Sequence, residues 1–169
     1  MHKAAIGTPP ALLPEYLRVL AGALVTFGIA SELVLRLTDV SPVYVLVGVG
    51  LVYSVQISHH RYKLTVDPGH EVTGCACFRT ATDKTAIVLR SRESALAGIP
   101  NSVVGAVLYG ALALAVYFGQ TGIAIGLAAV ALLGSAYLGY VMVARLASLC
   151  PLCINVAALN VLLLFYLVR

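Results

Sequence analysis

The sequence predicts an all-α integral membrane protein: a four-helix transmembrane bundle, one additional N-terminal transmembrane helix, and a cysteine-bearing loop outside the bilayer. Three observations predict it. Hydrophobic residues make up 60% of the 169-residue chain and charged residues 11%, with a mean hydropathy of +0.96. A soluble domain carries about a quarter charged residues. The apolar runs are about 18–25 residues long, enough to cross a bilayer as helices, and they lack the two-residue alternation of an outer-membrane strand. The net charge of +4 does not point to nucleic acid. Lys and Arg are scattered and form no basic face interleaved with aromatics. The expected surroundings are membrane lipid.

Residues 1–10 form a short polar start. The first apolar run, 12–35, is too long for the core of a cleavable signal and follows prolines, so it is expected to span the membrane. Glu32 and Arg36 are four residues apart and share a helix face, where an interfacial ion pair is expected. Ser41 is placed to cap the next helix, with Pro42 at its first position. The second span is expected over 43–58. Residues 59–100 are then the one long polar stretch, with six Lys or Arg, four acids, His59, His60, His70, Cys75 and Cys77. A connection of this length in a compact protein is usually functional. Within it, 84–97 is expected as an amphipathic helix lying on the membrane surface, broken by Gly98-Ile99-Pro100.

Asn101 or Ser102 is expected to cap the third span, 103–118. Gly119 to Gly122 make a tight connection to the fourth, 123–146, where Gly134, Ser135 and Gly139 suit close helix contact. The fifth span runs from Pro151 to Val168. The chain divides into an added span and turn, 1–40, and a bundle, 41–169, with its loop at 59–100.

The chemistry concentrates in Cys150-Pro151-Leu152-Cys153, which holds two of the four cysteines. A proline at the first helical position puts Cys150 at the N-cap and Cys153 one turn on, with the two sulfurs within bonding reach. Helix N-terminal N–H groups stabilise an anion, and so a thiolate. That suits thiol–disulfide exchange. The same residues also fit two buried free thiols, half of a metal site or a static disulfide.

Cys75 and Cys77 supply a second thiol source. A direct bridge between them would be strained. They suit either a soft metal or one exchange-active cysteine beside a bystander. A different function class is therefore a membrane carrier for soft metals such as copper, mercury or zinc, using both cysteine pairs. No polar path through the spans supports it, and no resident metal is expected. His59 and His60 read first as interfacial histidines. Arg145, five residues before Cys150, either lowers a thiolate pKa or faces headgroups. The tyrosines of the third and fourth spans read as packing or interface anchors.

Val88-Leu89-Arg90-Ser91, then Gly98-Ile99-Pro100-Asn101-Ser102-Val103-Val104-Gly105, then the CxxC in the last span, resemble the vitamin K epoxide reductase family over residues 43–169. The resemblance implies a four-helix bundle around a quinone (menaquinone, ubiquinone or a relative). It implies a microbial enzyme that forms disulfides in extracytoplasmic proteins, with loop cysteines relaying electrons from a thioredoxin-like partner. Carried over, Cys150 exchanges with the loop and Cys153 meets the quinone. Asn101 is a quinone-pocket donor, Ser91 a loop serine near the site, and Asn160 a family asparagine.

Two positions depart from the pattern. Cys77 fits the first loop cysteine, but the second falls on Thr85. Either Thr85 replaces a cysteine, or Cys75 and Cys77 share the relay in another geometry. The pocket tyrosine is replaced by Ala157, with Tyr109, Tyr137 or Tyr140 as substitutes. The resemblance places the loop and CxxC on the extracytoplasmic face of the cell membrane. The positive-inside count opposes this, since the loop holds six basic residues and the other face is left with Arg36 and Arg169. The redox chemistry, which needs a compartment where disulfides persist, decides for the extracytoplasmic face.

Overall fold

The computed structural model describes residues 12–38, 41–67, 82–96 and 98–169. In chain order it contains α1 (Leu12–Leu37), α2 (Pro42–Val66), α3 (Thr82–Arg90), a 3-10 turn (Arg92–Ser94), strands β1 (Ala95–Leu96) and β2 (Ile99–Pro100), then α4 (Asn101–Tyr117), α5 (Thr121–Ala144) and α6 (Pro151–Val168). Helices α1, α2, α5 and α6 are long and apolar enough to cross a membrane. Helix α4 is equally apolar and has 17 residues, about 25 Å at 1.5 Å per residue. That is the short limit for a span. The protein is thus an all-α multi-pass membrane protein.

Helix α6 is the central post. It buries Leu152, Ile154, Ala157, Ala158, Leu159, Asn160 and Leu163. Helix α1 packs mainly along it, α2 packs on α4 and α6, and α5 packs on α4 and α6. Val107, Leu114, Val130 and Leu133 point outward and are exposed, as expected of side chains that meet lipid. Lipid is as apolar as they are, so the bundle depends on close fit. Gly50 shows this: a Cβ there would run into the ring of Tyr109.

Two buried apolar clusters divide the bundle along its length. One contains Val43, Leu46, Tyr109, Leu112, Leu159 and Leu163. The other contains Ile57, Val88, Leu89, Met142, Leu149, Cys150 and Ile154, with Tyr16 of α1 packed against it. Helix α1 begins beside this second cluster. It ends where Glu32 Oε1 accepts the Tyr166 hydroxyl at 2.9 Å and lies 3.8 Å from Arg169. Helices α1 and α6 therefore run in the same direction, away from the cysteine end.

The structure corrects four expectations. Glu32 turns to the end of α6 and not to Arg36, because α6 offers a hydroxyl and a guanidinium across the helix contact. Helix α2 continues to Val66, so His59, His60 and Arg61 lie on a helix and not in the loop. Hydropathy falls where a span leaves the bilayer, whereas the backbone ladder satisfies itself beyond that point; the Asp67 N–H still bonds to Lys63 O at 2.7 Å. Neither Asn101 nor Ser102 caps α4. Pro100 occupies the N-cap position and Asn101 is the first helical residue. Ser41 does precede Pro42 at the N-cap of α2, but its side chain makes no capping bond.

The fourth correction concerns 84–97. It is not one surface helix: α3 stops at Arg90, a 3-10 turn follows, and a small hairpin pairs Ala95 with Pro100 and Leu96 with Ile99. Serines break the helix. The Ser91 hydroxyl donates to Val88 O at 2.8 Å, and Ser94 Oγ lies 2.9 Å from Leu89 O and 2.7 Å from Ser91 O. Such local bonds compete with the helical ladder. Gly98 closes the hairpin at φ +85°, a conformation open mainly to glycine.

Candidate active site

The linker between α5 and α6 sets the cysteines. The N–H groups of Arg145 and Leu146 both donate to Val141 O at 3.0 Å, and that of Ser148 donates to Met142 O at 3.1 Å. The chain folds back over the end of α5 in this way, with Ala147 in the left-handed region at φ +46°. Cys150 then emerges at the N-cap of α6 with an extended backbone, and Pro151 is the first helical residue. The Cys150 Sγ accepts the Cys153 N–H at 3.4 Å, so a sulfur holds the position a serine oxygen normally fills.

The two sulfurs are 2.9 Å apart and unbonded. Closing that gap to a disulfide takes about 1 Å of movement. The pair is asymmetric. Cys150 is wholly buried. Cys153 is partly open and stands in the wall of a cavity of about 730 Å³, counted with its mouth.

Much of the cavity wall is apolar: Ile57, Leu138, Val141, Met142 and Val156. Its polar groups are Arg61, Ser91, Ser94, Asn101 and Ser102 toward α3 and the hairpin, with Ser54 and Ser135 from α2 and α5. Arg61 Nη1 donates to the carbonyl and hydroxyl of Ser94, each at 2.7 Å, which ties the end of α2 to the 3-10 turn. Ser58 Oγ lies 2.9 Å from Ser102 Oγ and 2.9 Å from Ser54 O, bridging α2 to α4. The lining suits a flat apolar molecule with a few polar atoms.

The structure thus gathers Cys153, Ser91 and Asn101 around one cavity, with Cys150 buried directly behind Cys153. Asn160 and Ala157 are buried inside the bundle and do not line it. Asn160 accepts the Tyr109 hydroxyl at 2.6 Å and donates to Ser135 Oγ at 2.7 Å and Ala131 O at 3.2 Å. Tyr137 and Tyr140 are exposed on the outer side of α5 and do not line the cavity, so neither stands in for a tyrosine at Ala157. Arg145 is exposed at the end of α5. His60 is buried and its ring lies 6.2 Å from that of His59. Among the described residues no three His, Cys, Asp or Glu side chains converge as a metal site. Cys75, Cys77 and His70 lie outside the described residues, as does the side chain of Thr85.

Sequence reasoning missed Tyr16. Its hydroxyl rests on Gly139, where a Cβ would come within 2.6 Å of it. Its ring packs on the cluster containing Cys150, as does Cys153. No motif marks this tyrosine. The usable hint was Gly139, a small residue placed for a close neighbour on another helix. Sequence reasoning also passed over Arg61 and gave Ser135 only a packing role.

A family model described as the vitamin K epoxide reductase family matches residues 41–168. No curated protein matches the chain. The matched region begins just before α2 and takes in both cysteines of the site and the whole cavity wall.

Proposed function

Because the chain belongs to the vitamin K epoxide reductase family, and so to a class of membrane oxidoreductases, we propose that it is a quinone-dependent thiol–disulfide oxidoreductase. A thioredoxin-like partner delivers two electrons through the loop cysteines to the Cys150–Cys153 disulfide. The reduced pair then passes them to a quinone in the adjacent cavity. The net change is dithiol plus quinone to disulfide plus quinol, with two electrons and two protons carried across. Thr85 has no thiol to give, so docking with the partner falls to Cys75 or Cys77.

One observation carries this reading. Cys153 faces an apolar cavity, and Cys150 sits 2.9 Å behind it, sealed from that cavity. Such a pair has one sulfur for each side of a relay. The helix N-terminus lowers the cost of a thiolate at Cys150, the thiol that is exchanged. Cys153, one turn along, is the sulfur that reaches the cavity. Met142, Val141 and Val156 keep water from it. Asn101 and Ser91 offer hydrogen-bonding groups in the cavity wall. A bound quinone supplies the two-electron acceptor.

The site faces the extracytoplasmic side in this reading, and the products are disulfides in proteins of that compartment. The test is quinone reduction by purified protein with a dithiol donor. Cys153→Ala should abolish it. Turnover at the normal rate in that variant would sink the mechanism. Thiol trapping of the oxidised protein should find a Cys150–Cys153 bridge in one population and a loop cysteine joined to Cys150 in another.

A further inference from the structure

A polar chain crosses the middle of the bundle and ends in the cavity. The Tyr109 hydroxyl, on α4, donates to Asn160 Oδ1 at 2.6 Å. The Ala131 carbonyl can only accept, which fixes the amide: Asn160 Nδ2 donates to it at 3.2 Å and to Ser135 Oγ at 2.7 Å, and Oδ1 is left to accept from Tyr109. All three side chains are buried, with Tyr109 and Asn160 2% exposed and Ser135 8% exposed. Every link points the same way, from α4 through α6 to α5.

Ser135 is the open end. Its oxygen accepts from Asn160, and its own proton goes to no acceptor among the described residues. A helical serine commonly gives that proton to the carbonyl four residues back. Here that carbonyl, Ala131 O, takes the Asn160 amide. Ser135 lines the same cavity as Cys153. Leaving a buried donor unmet is unfavourable, so the cavity is built for an occupant that accepts a hydrogen bond at this point.

We propose that Ser135 is a binding residue for a ring carbonyl of the cavity's occupant, with Asn160 and Tyr109 as positioning residues that aim it. The proposal rests on the reading that the occupant is a quinone. A carbonyl oxygen only accepts, whereas the hydroxyl of a quinol brings a donor of its own. A donor chain that runs one way therefore favours the oxidised ring over the reduced one. It holds the substrate and lets the product go.

The experiment uses purified protein and 2-methyl-1,4-naphthoquinone labelled with 13C at both carbonyls. Infrared difference spectra of the bound ligand, and KM with a dithiol donor, are compared for wild type, Ser135→Ala, Ser135→Thr and Asn160→Leu. In Ser135→Ala one carbonyl band should move to the frequency of the unbonded ligand. Its KM should rise about threefold to tenfold, the span of one neutral hydrogen bond. Ser135→Thr should restore both. Asn160→Leu should broaden the same band, because Ser135 loses its aim. An unchanged band and KM in Ser135→Ala would overturn this proposal and leave the quinone reading standing. No bound carbonyl band and no reduction in wild type would overturn both.

Discussion

The cluster around Val43, Leu112, Leu159 and Leu163 and the cluster around Leu149, Cys150 and Ile154 are both buried. They are assembled differently. The first joins transmembrane helices directly, flank to flank. The second draws on α3, the α5–α6 linker and the start of α6 as well as on α2 and α5, and it borders a cavity whose wall includes five serines. In lipid, irregular backbone is tolerated only where protein or a cavity satisfies it. Helix starts and linkers are also where backbone N–H groups are free to act on a thiol. The closed end is built from helix contacts alone, and the open end holds the thiol pair and the cavity.

That contrast is easiest to break with chemistry. Cys153→Ala should lower dithiol-driven quinone reduction at least 100-fold, while the thermal midpoint in detergent moves little. A variant that also unfolds would mean that the open end carries stability as well. Leu159→Ala should do the reverse. Leu159 is wholly buried in the closed cluster, and losing its contacts should cost about 2–4 kcal/mol. A thermal or denaturant melt would read this, with turnover of the folded fraction retained.

Gly50→Ala tests whether the closed end guides the open one. The added methyl meets the Tyr109 ring and should destabilise by about 1–3 kcal/mol. It should also disturb the Tyr109–Asn160 bond, so KM for quinone should rise in the fraction that still folds. The smallest effect is expected at Ala147, whose left-handed backbone costs an L-residue about 1–2 kcal/mol. Ala147→Gly should recover at most about 1 kcal/mol, since glycine is also freer when unfolded. A melt that shifts down would show that the linker uses the methyl group for packing.

Much of this molecule was legible in its sequence. Apolar run lengths located the spans, and Pro151 fixed the geometry of the thiol pair because a proline at the first helical position sets the cap residue before it. What stayed hidden depended on partners far away in the chain. Glu32 has a plausible mate at Arg36, but its hydroxyl partner, Tyr166, lies 134 positions on. Tyr16 acquires meaning only when α1 is laid against Gly139. The end of α2 was misjudged because hydropathy records where lipid stops and not where a helix does. Asn160 was singled out from resemblance alone. Its side chain meets the cavity wall only through its bond to Ser135, and sequence does not reveal such a contact.

Helices α1 and α6 both descend from the cysteine end, so the chain enters the bundle on one face of the membrane and leaves it on the other. That constrains covalent tethering. A redox domain joined ahead of α1 would share a compartment with Cys150 and could reach it on a short linker. The same domain joined behind α6 would be stranded on the far side unless another crossing were added. Placing such a fusion at each position in turn, and measuring which one supports dithiol-driven turnover by itself, would test both the proposed relay and the face it opens on.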